Sequence, residues 1–477
     1  HPRDDTRYDA GYPPRTPMTP RQVLRLVLVG LGTSVVPLDT AVNIAFPEIT
    51  GSFGLPVEMI QWVVISYVLT YSSLMLAFGR AGDIWGHGRV FRVGLLWSSI
   101  AYLLCAAAPN YGWLLFCRFL QGLGASLVVS CAPALVTGLF PEDRRSRAVA
   151  IFTLMYAIGS AAGPLLGGLL VQSWGWPAVF WFRAPLALIA LLLPGEAHTT
   201  SRPAVRDPVD IVGAILLALG ISTLLLTLNR LQRLQGQEFV AVLLLATATA
   251  SLCGFFYWEK RVPQPIVNLG VFRVGGFTGM NIASVLIYLT SFSVLLLGPY
   301  YLVRLTGLSA IVAGGVLGAS FVGSLAASPL AGWAIERVPA GRVAALGASL
   351  CAAGLVLIGG WRPGAAGQTI TILATLVLQG FGVGLFQVAY MDIVMRTLPR
   401  HHRGVAGSIA MLSRSVGVVT GATLLTMVFH TIEATRLADG DMPAASFLTG
   451  FRATFWSAGA VAGLAGCLVL FATKRSS

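Results

Sequence analysis

The sequence predicts an all-α integral membrane protein of fourteen transmembrane helices, arranged as two parallel six-helix bundles with a two-helix insertion between them. Three observations carry that expectation: apolar runs of membrane-spanning length, basic residues gathered on one side of those runs, and a set of motifs that returns once along the chain.

The runs come first. Of the 477 residues, 56% are hydrophobic and 11% charged, and the mean hydropathy is +0.77, which leaves too little polar surface to keep a chain of this length in water. Apolar stretches of about 20 residues cross a bilayer as helices, because backbone groups facing lipid must be satisfied within the segment. Such stretches lie near 23–46, 58–79, 90–108, 111–136, 148–171, 177–194, 210–229, 238–257, 277–302, 309–335, 343–360, 368–392, 404–428 and 453–472. Residues 1–20, with five prolines and mixed charge, read as a disordered tail and not as a signal peptide. The six cysteines fall within apolar spans without a C-x-x-C pair and read as packing residues.

The second observation gives orientation. With the N-terminus inside, 23 of the 32 lysines and arginines fall on the inner side and 6 on the outer, the bias that places basic loops in the cytoplasm. Both termini are therefore expected in the cytoplasm. The formal charge of +13 belongs to these loops and does not indicate a nucleic-acid partner.

The third observation divides the chain. Leu120-Gln121-Gly122-Leu123-Gly124 returns as Leu378-Gln379-Gly380-Phe381-Gly382, and Gly159 and Gly163 return as Gly417 and Gly421, both at an offset of 258. Pro141 returns as Pro399 at the same offset and Arg144 as Arg403 one residue further on, and Gly79, Asp83, Gly88 and Arg89 match Gly332, Glu336, Gly341 and Arg342 at an offset of 253. An even number of spans separates the copies, so the halves share one orientation, as parallel repeats do. The expected organisation is a bundle over 21–194, a linker with two further helices over 195–265, and a second bundle over 266–477.

Intramembrane charge marks function by default. Asp39 is the one carboxylate well inside a span of the first half. It shares a predicted helix face with Asn43, and Arg118 and Arg183 lie at comparable depth. Burial disfavours the ionised carboxylate, so Asp39 is expected to exchange between Arg118 and a proton; a permanent structural bridge is the alternative. Arg183 and Arg414, with Gln121, Asn43, Tyr67 and Tyr71, are the candidate cavity residues. Tyr156, Tyr288 and Tyr390 could join an aromatic lining or simply pack between helices. The excess of buried arginine leans toward anionic or zwitterionic amphiphiles, lipid-like compounds included.

The run Gly79-Arg80-Ala81-Gly82-Asp83-Ile84-Trp85-Gly86-His87-Gly88-Arg89 resembles signature motif A of the major facilitator superfamily. Arg118-Phe119-Leu120-Gln121-Gly122-Leu123-Gly124 resembles its motif B, and Gly163-Pro164-Leu165-Leu166-Gly167-Gly168 its motif C. Leu38-Asp39-Thr40-Ala41-Val42-Asn43-Ile44-Ala45-Phe46-Pro47 is similar to the first-span motif of the fourteen-span drug:proton antiporter family, one residue shorter between Asp and Pro. The resemblance implies a proton-coupled efflux antiporter of the bacterial inner membrane, working by alternating access on small amphipathic molecules. Gating would then fall to Gly79, Asp83, Gly88, Arg89, Gly159, Gly163, Pro164, Gly167, Gly168, Glu336 and Arg342. A monomer is expected, with no cofactor and the proton gradient as energy source. A proton-coupled importing symporter is the nearest alternative. A membrane enzyme is disfavoured because the six histidines lie in tails, loops or span ends and no H-E-x-x-H, G-x-S-x-G or phosphate-binding loop occurs.

Overall fold

The computed structural model describes residues 20–138, 142–192, 210–231, 238–262, 276–364, 368–397 and 403–474. The predicted tail, apart from Pro20, and Pro141 and Pro399 of the repeat lie outside the described residues.

The first apolar run is not one helix. Helix α1 (Pro20–Ser34) stops where Thr33 and Ser34 turn their hydroxyls back onto the carbonyls of Val29 and Leu31 and where Pro37 offers no N–H. The chain then tightens into a 3₁₀ turn over Pro37–Thr40 and continues as α2 (Ala41–Ile44) and α3 (Phe46–Ser52). The expected span near 23–46 is present as one crossing, Gln22–Ile44, but its helix is broken within the span and not continuous. A 3₁₀ turn winds more tightly than an α-helix, yet Asp39 and Asn43 still line one cavity.

The first half continues through α4 (Gln61–Trp85), α5 (His87–Ala106), α6 (Tyr111–Gly138) and α7 (Glu142–Trp174). The predicted sixth span divides at Phe182 into α8 (Ala178–Trp181) and α9 (Arg183–Ala190), an apolar stretch shorter than the usual crossing length. Next come α10 (Ile211–Leu231) and α11 (Glu238–Glu259), which form a hairpin. Asp210 caps α10 by accepting from the Gly213 N–H at 2.8 Å and ties it to α11 by accepting from Trp258 Nε1 at 2.7 Å. Helix α10 touches both α4 and α16 (Arg403–Ala438), whereas α11 is mostly exposed.

The second half comprises α12 (Phe277–Tyr300), a π-helical turn over Tyr301–Leu305, α13 (Ala310–Ile335), α14 (Ala340–Gly359), α15 (Gln368–Thr397), α16 and α17 (Pro443–Lys474). Among the described residues, twelve helices are long and apolar enough to cross a membrane, and two shorter apolar helices, Ala178–Ala190 and Ile215–Leu224, stand at the predicted sixth and seventh spans. The outer surface is apolar, with Phe239, Ile370 and Phe471 exposed and exposed tryptophans near helix ends at Trp85, Trp113, Trp174 and Trp333. Cys105, Cys117, Cys131 and Cys351 pack inside; Cys253 and Cys467 are exposed instead, since hydropathy places a cysteine in a span without saying which face it takes.

The repeat is visible in packing. Helix α6 packs on α4 and α5, and its copy α15 packs on α13 and α14. The halves meet through two helix pairs, α7 with α13 and α4 with α16. The repeat exchanges them, because α16 is the copy of α7 and α13 the copy of α4.

Candidate functional site

Three elements of the first half converge on Asp39. Helix α6 presents Arg118, whose Nη1 and Nη2 donate to the two carboxylate oxygens at 2.7 and 2.8 Å. Its Nε donates to the Val63 carbonyl at 2.8 Å. One turn on, Gln121 accepts from Arg118 Nη1 at 2.9 Å and donates to Asp39 Oδ1 at 2.9 Å. From α9, Arg183 Nη1 donates to the same Oδ1 at 2.7 Å and its Nε to the Val179 carbonyl at 3.1 Å. Both guanidiniums are almost wholly buried, at 1% and 0% exposure, while the Asp39 side chain keeps 15%. Tyr67 lies under Arg118 at 4.3 Å and Tyr102 under Arg183 at 4.5 Å.

The predicted polar layer is therefore present, with one carboxylate shared between two cations. The cluster carries a net charge of about +1 in surroundings where an unmatched charge is costly. Arg183 Nη2 has no hydrogen-bond partner among the described residues. The sequence places Arg183 in the same layer but assigns the exchange to Arg118 alone; the structure brings Arg183 from α9 onto the same carboxylate oxygen as Arg118.

A cavity of about 150 Å³ opens between the halves. The first half lines it with Asp39, Asn43, Tyr67, Tyr71, Arg118 and Tyr156, the second with Phe292, Leu295, Met411, Arg414, Ser415 and Val418, among others. Asn43, Tyr67, Tyr71 and Arg414 thus stand where the sequence reading placed them. Gln121 and Arg183 do not line the cavity: they lie behind Asp39, fully buried. Depth along a span cannot say from which side a side chain approaches a neighbour. Of the other tyrosines, Tyr288 lies 5.2 Å from the Arg414 guanidinium and Tyr390 donates to Asn281 at 2.8 Å. Ser160, Met411 and Ser415 were not anticipated. Tyr156 could have been singled out, because the offset of 258 pairs it with Arg414.

The glycines of α7 hold the Asp39 segment against the bundle. A Cβ on Gly163 would meet the Thr40 hydroxyl at 1.8 Å, and one on Gly167 the Ala41 carbonyl at 2.6 Å. Thr40 also donates to the Ser160 carbonyl at 3.0 Å. Gly159 backs onto Ser34 and Pro37. The neighbouring edge of α7 faces the other half: a Cβ on Gly168 would come within 2.3 Å of the Ala310 carbonyl, and one on Gly314 within 2.1 Å of the Pro164 carbonyl. In the copy, Gly417 and Gly421 back onto Val285 and Leu289 of α12. Glycine packing within each half is common to both copies, and the Pro164 and Gly168 contact across the halves is what the first adds.

The predicted clasp residues are less connected. Gly86, at φ +90°, makes the sharp turn from α4 to α5, a conformation that suits glycine. A Cβ on Gly79 would meet Ser130 at 3.8 Å, an ordinary contact, and Gly88 is buried. Gly341 is covered by Thr473, whereas Gly332 has open space where a Cβ would point. Arg89 and Arg342 are exposed. Glu336 is 78% exposed and reaches only the adjacent Arg337 at 3.9 Å among the described residues; the Asp83 side chain lies outside them.

Polar contacts between the halves gather at the end of the bundle distal to Pro20. Tyr300 donates to the Phe46 carbonyl and Thr50 hydroxyl at 3.3 Å, and Arg304 to Pro47 and Thr50 at 3.4 and 3.1 Å. His430 approaches Glu58 at 3.5 Å, and Gln172 accepts from the Ile311 N–H at 3.3 Å. Sequence reasoning missed this cluster, since its members lie apart in the chain and inside unremarkable span ends. Nearby Glu48 is half-buried, and burial raises its carboxyl above the usual glutamate range, opposed by a hydrogen bond from the Trp176 backbone.

The Major Facilitator Superfamily family model matches residues 27–279 and again 280–477. The chain is 27% identical to the riboflavin transporter RibZ of Clostridioides difficile, over 85% of this chain and 87% of that protein. It is 32% identical to the puromycin resistance protein pur8 of Streptomyces alboniger, over 90% and 86%, and 28% identical to the multidrug resistance protein Stp of Mycobacterium tuberculosis, over 86% and 76%. Among solved structures, a bacterial homolog of the human lysosomal transporter Spinster, inward-facing and unoccupied, has the same fold, with a TM-score of 0.69, 16% identity and coverage of 96% of this chain and 98% of that one. A twice-matched family model, a repeat expressed in packing and a charged cluster beside a cavity between the halves lead to one conclusion: the chain belongs to the Major Facilitator Superfamily and is a multi-pass membrane transporter of small molecules, not an enzyme.

Proposed function

We propose that this transporter is a proton-coupled efflux antiporter of the fourteen-span drug:proton type, exporting small amphipathic molecules, drugs or lipid-like compounds, by alternating access. The observation that carries the reading is the Asp39 cluster. One carboxylate, partly open to the cavity, is held by two buried arginines, so its protonation changes the charge of the cavity wall and releases guanidinium donors. Drug-resistance relatives such as pur8 and Stp support export as the direction. The Pro164 and Gly168 contact between the halves supports a rocking interface there.

In this cycle Asp39 takes a proton when the cavity faces outward and loses it inward, and the substrate travels the other way. Arg118 and Arg183 hold the ionised carboxylate. The distal contacts are the outer gate, closed here, and the Gly79–Arg89 loop with its Glu336 and Arg342 copy belongs to the inner one. Both termini lie in the cytoplasm of a bacterial cell, the sixth span and α10 complete fourteen crossings of the inner membrane, each chain acts as a monomer, and no cofactor takes part. One charge crossing 100 mV releases about 2.3 kcal/mol, enough for a concentration ratio of roughly fifty.

One observation favours a second reading, proton-coupled import. Protonating Asp39 leaves a more positive wall in the cavity that holds Arg414, and an anion would then bind together with the proton instead of against it. Flux in proteoliposomes under an imposed pH gradient separates the readings. Antiport moves substrate against the proton flow, symport moves it with the flow, and Asp39→Asn is expected to cut gradient-driven flux at least a hundredfold while leaving substrate binding measurable. Undiminished gradient-driven flux in the variant would make Asp39 structural.

A further inference from the structure

We propose that Arg414 is the anchor for an anionic substrate group, a carboxylate or comparable oxyanion on an apolar or aromatic body, bound in the central cavity. The inference deepens the reading above and rests on it for the cavity being the substrate site.

The charges that line the cavity are Asp39, Arg118 and Arg414. Asp39 is already engaged by two guanidiniums and Gln121, with Oδ1 accepting from Arg118, Arg183 and Gln121 and Oδ2 from Arg118, so its single negative charge is more than matched without Arg414. Counting Arg183 behind the wall, three guanidiniums stand against one carboxylate. Among the described residues no carboxylate forms an ion pair with Arg414; the ring of Tyr288, 5.2 Å from its guanidinium, is what it meets. A ring face offsets only part of the cost of holding a cation away from bulk water. The missing counter-charge is one that a ligand can bring.

The surroundings suit such a ligand. A guanidinium forks onto a carboxylate through two parallel hydrogen bonds, a match that neither an amide nor an ammonium can make. Tyr71 and Tyr156 line the cavity from the other half, and their hydroxyls are able to donate to an oxyanion. Phe292, Leu295 and Val418 supply apolar wall on the side of Arg414. A ligand seated there touches both halves, so its charge is held by the second half while the proton site belongs to the first.

The test uses the full chain in lipid nanodiscs and three probes that share one skeleton: 4-butylbenzoate, 4-butylbenzamide and 4-butylbenzylammonium. Equilibrium binding is expected to favour the benzoate at least tenfold over the other two. Arg414→Gln is expected to erase that preference while benzamide affinity changes less than threefold, which also shows that the variant is folded; Arg414→Lys is expected to keep part of the preference. Failure of the benzoate to bind, a preference that survives Arg414→Gln, or tightest binding of the ammonium would overturn the anchor. Binding is read without a gradient, so it is separable from the export reading. Intact benzoate preference without pH-driven flux of any probe would sink export and support the anchor, and pH-driven flux of the ammonium alone would support export and sink the anchor.

Discussion

The two halves of this transporter share a backbone plan and differ in where they keep charge. At the glutamine pair that the repeat brings into register, Gln121 joins Asp39 and Arg118 in an ionic cluster, whereas Gln379 accepts from Ser320 at 2.7 Å and faces Cys351 at 3.9 Å. Three residues before each glutamine, Arg118 in one half is matched by Leu376 in the other. The second half makes its buried polar contacts with neutral groups: Asn281 accepts from Tyr390 at 2.8 Å and from Ser413 at 3.0 Å. The same helix crossings thus tolerate either a charged or a neutral filling. The first half keeps an ionic cluster whose carboxylate borders the cavity, and the second a neutral filling with one cation, Arg414, lining the cavity.

The strongest way to break that comparison is to swap the fillings. Arg118→Leu gives the first half the residue of its copy and leaves Asp39 with Arg183 as its one cation, beside Gln121. Breaking a buried ion pair by removing one partner costs about 3–5 kcal/mol, and the bidentate hold on Asp39 goes with it. Gradient-driven flux should fall to background and the unfolding midpoint should drop, both measurable on purified protein. The converse, Leu376→Arg, puts a guanidinium where Leu376 is fully buried, and the chain should fail to accumulate in the membrane. Survival of transport in either variant would mean that the charge asymmetry is incidental.

A milder comparison uses the glutamines themselves. Gln121→Leu strips Asp39 and Arg118 of a shared partner, and Gln379→Leu strips Ser320 of its acceptor. Each leaves buried polar groups unsatisfied, at about 1–3 kcal/mol in stability, so thermal unfolding should respond similarly. Transport should not: Gln121→Leu should lower flux about tenfold and shift its pH profile, and Gln379→Leu should leave the profile in place. Equal shifts in the two profiles would erase the functional distinction between the halves.

How much of this was legible in the sequence follows from what each signal measures. Apolar run length and the returning motifs located the bundles, and the depths of Asp39, Arg118 and Arg183 placed them in one layer, because rise along a helix is fixed. Azimuth was not legible where helices break. The 3₁₀ turn at Pro37 and the division at Phe182 decide that Arg183 and Gln121 approach Asp39 from behind and not across the cavity. The distal contacts of Tyr300, Arg304 and His430 with residues some 250 or more positions earlier were equally hidden, since nothing in a local pattern says which span ends meet. The offset of 258 did hold one unused clue, the pairing of Tyr156 with Arg414 across the cavity.

The smallest expected effect concerns a group outside the spans, Glu48, at the distal end of the first half. Burial outweighs the hydrogen bond from Trp176 and raises its carboxyl above the ordinary glutamate value. A carboxyl whose folded-state pKa lies above its unfolded one contributes most below the unfolded value, and that contribution is lost as pH rises through the folded one. Glu48→Gln keeps the hydrogen-bonding oxygen and cannot ionise, so its unfolding midpoint, compared with wild type, should improve between about pH 4 and pH 8. A flat difference for Glu48→Gln across that range would mean that water reaches its carboxylate freely, and that the distal end is looser than its contacts imply.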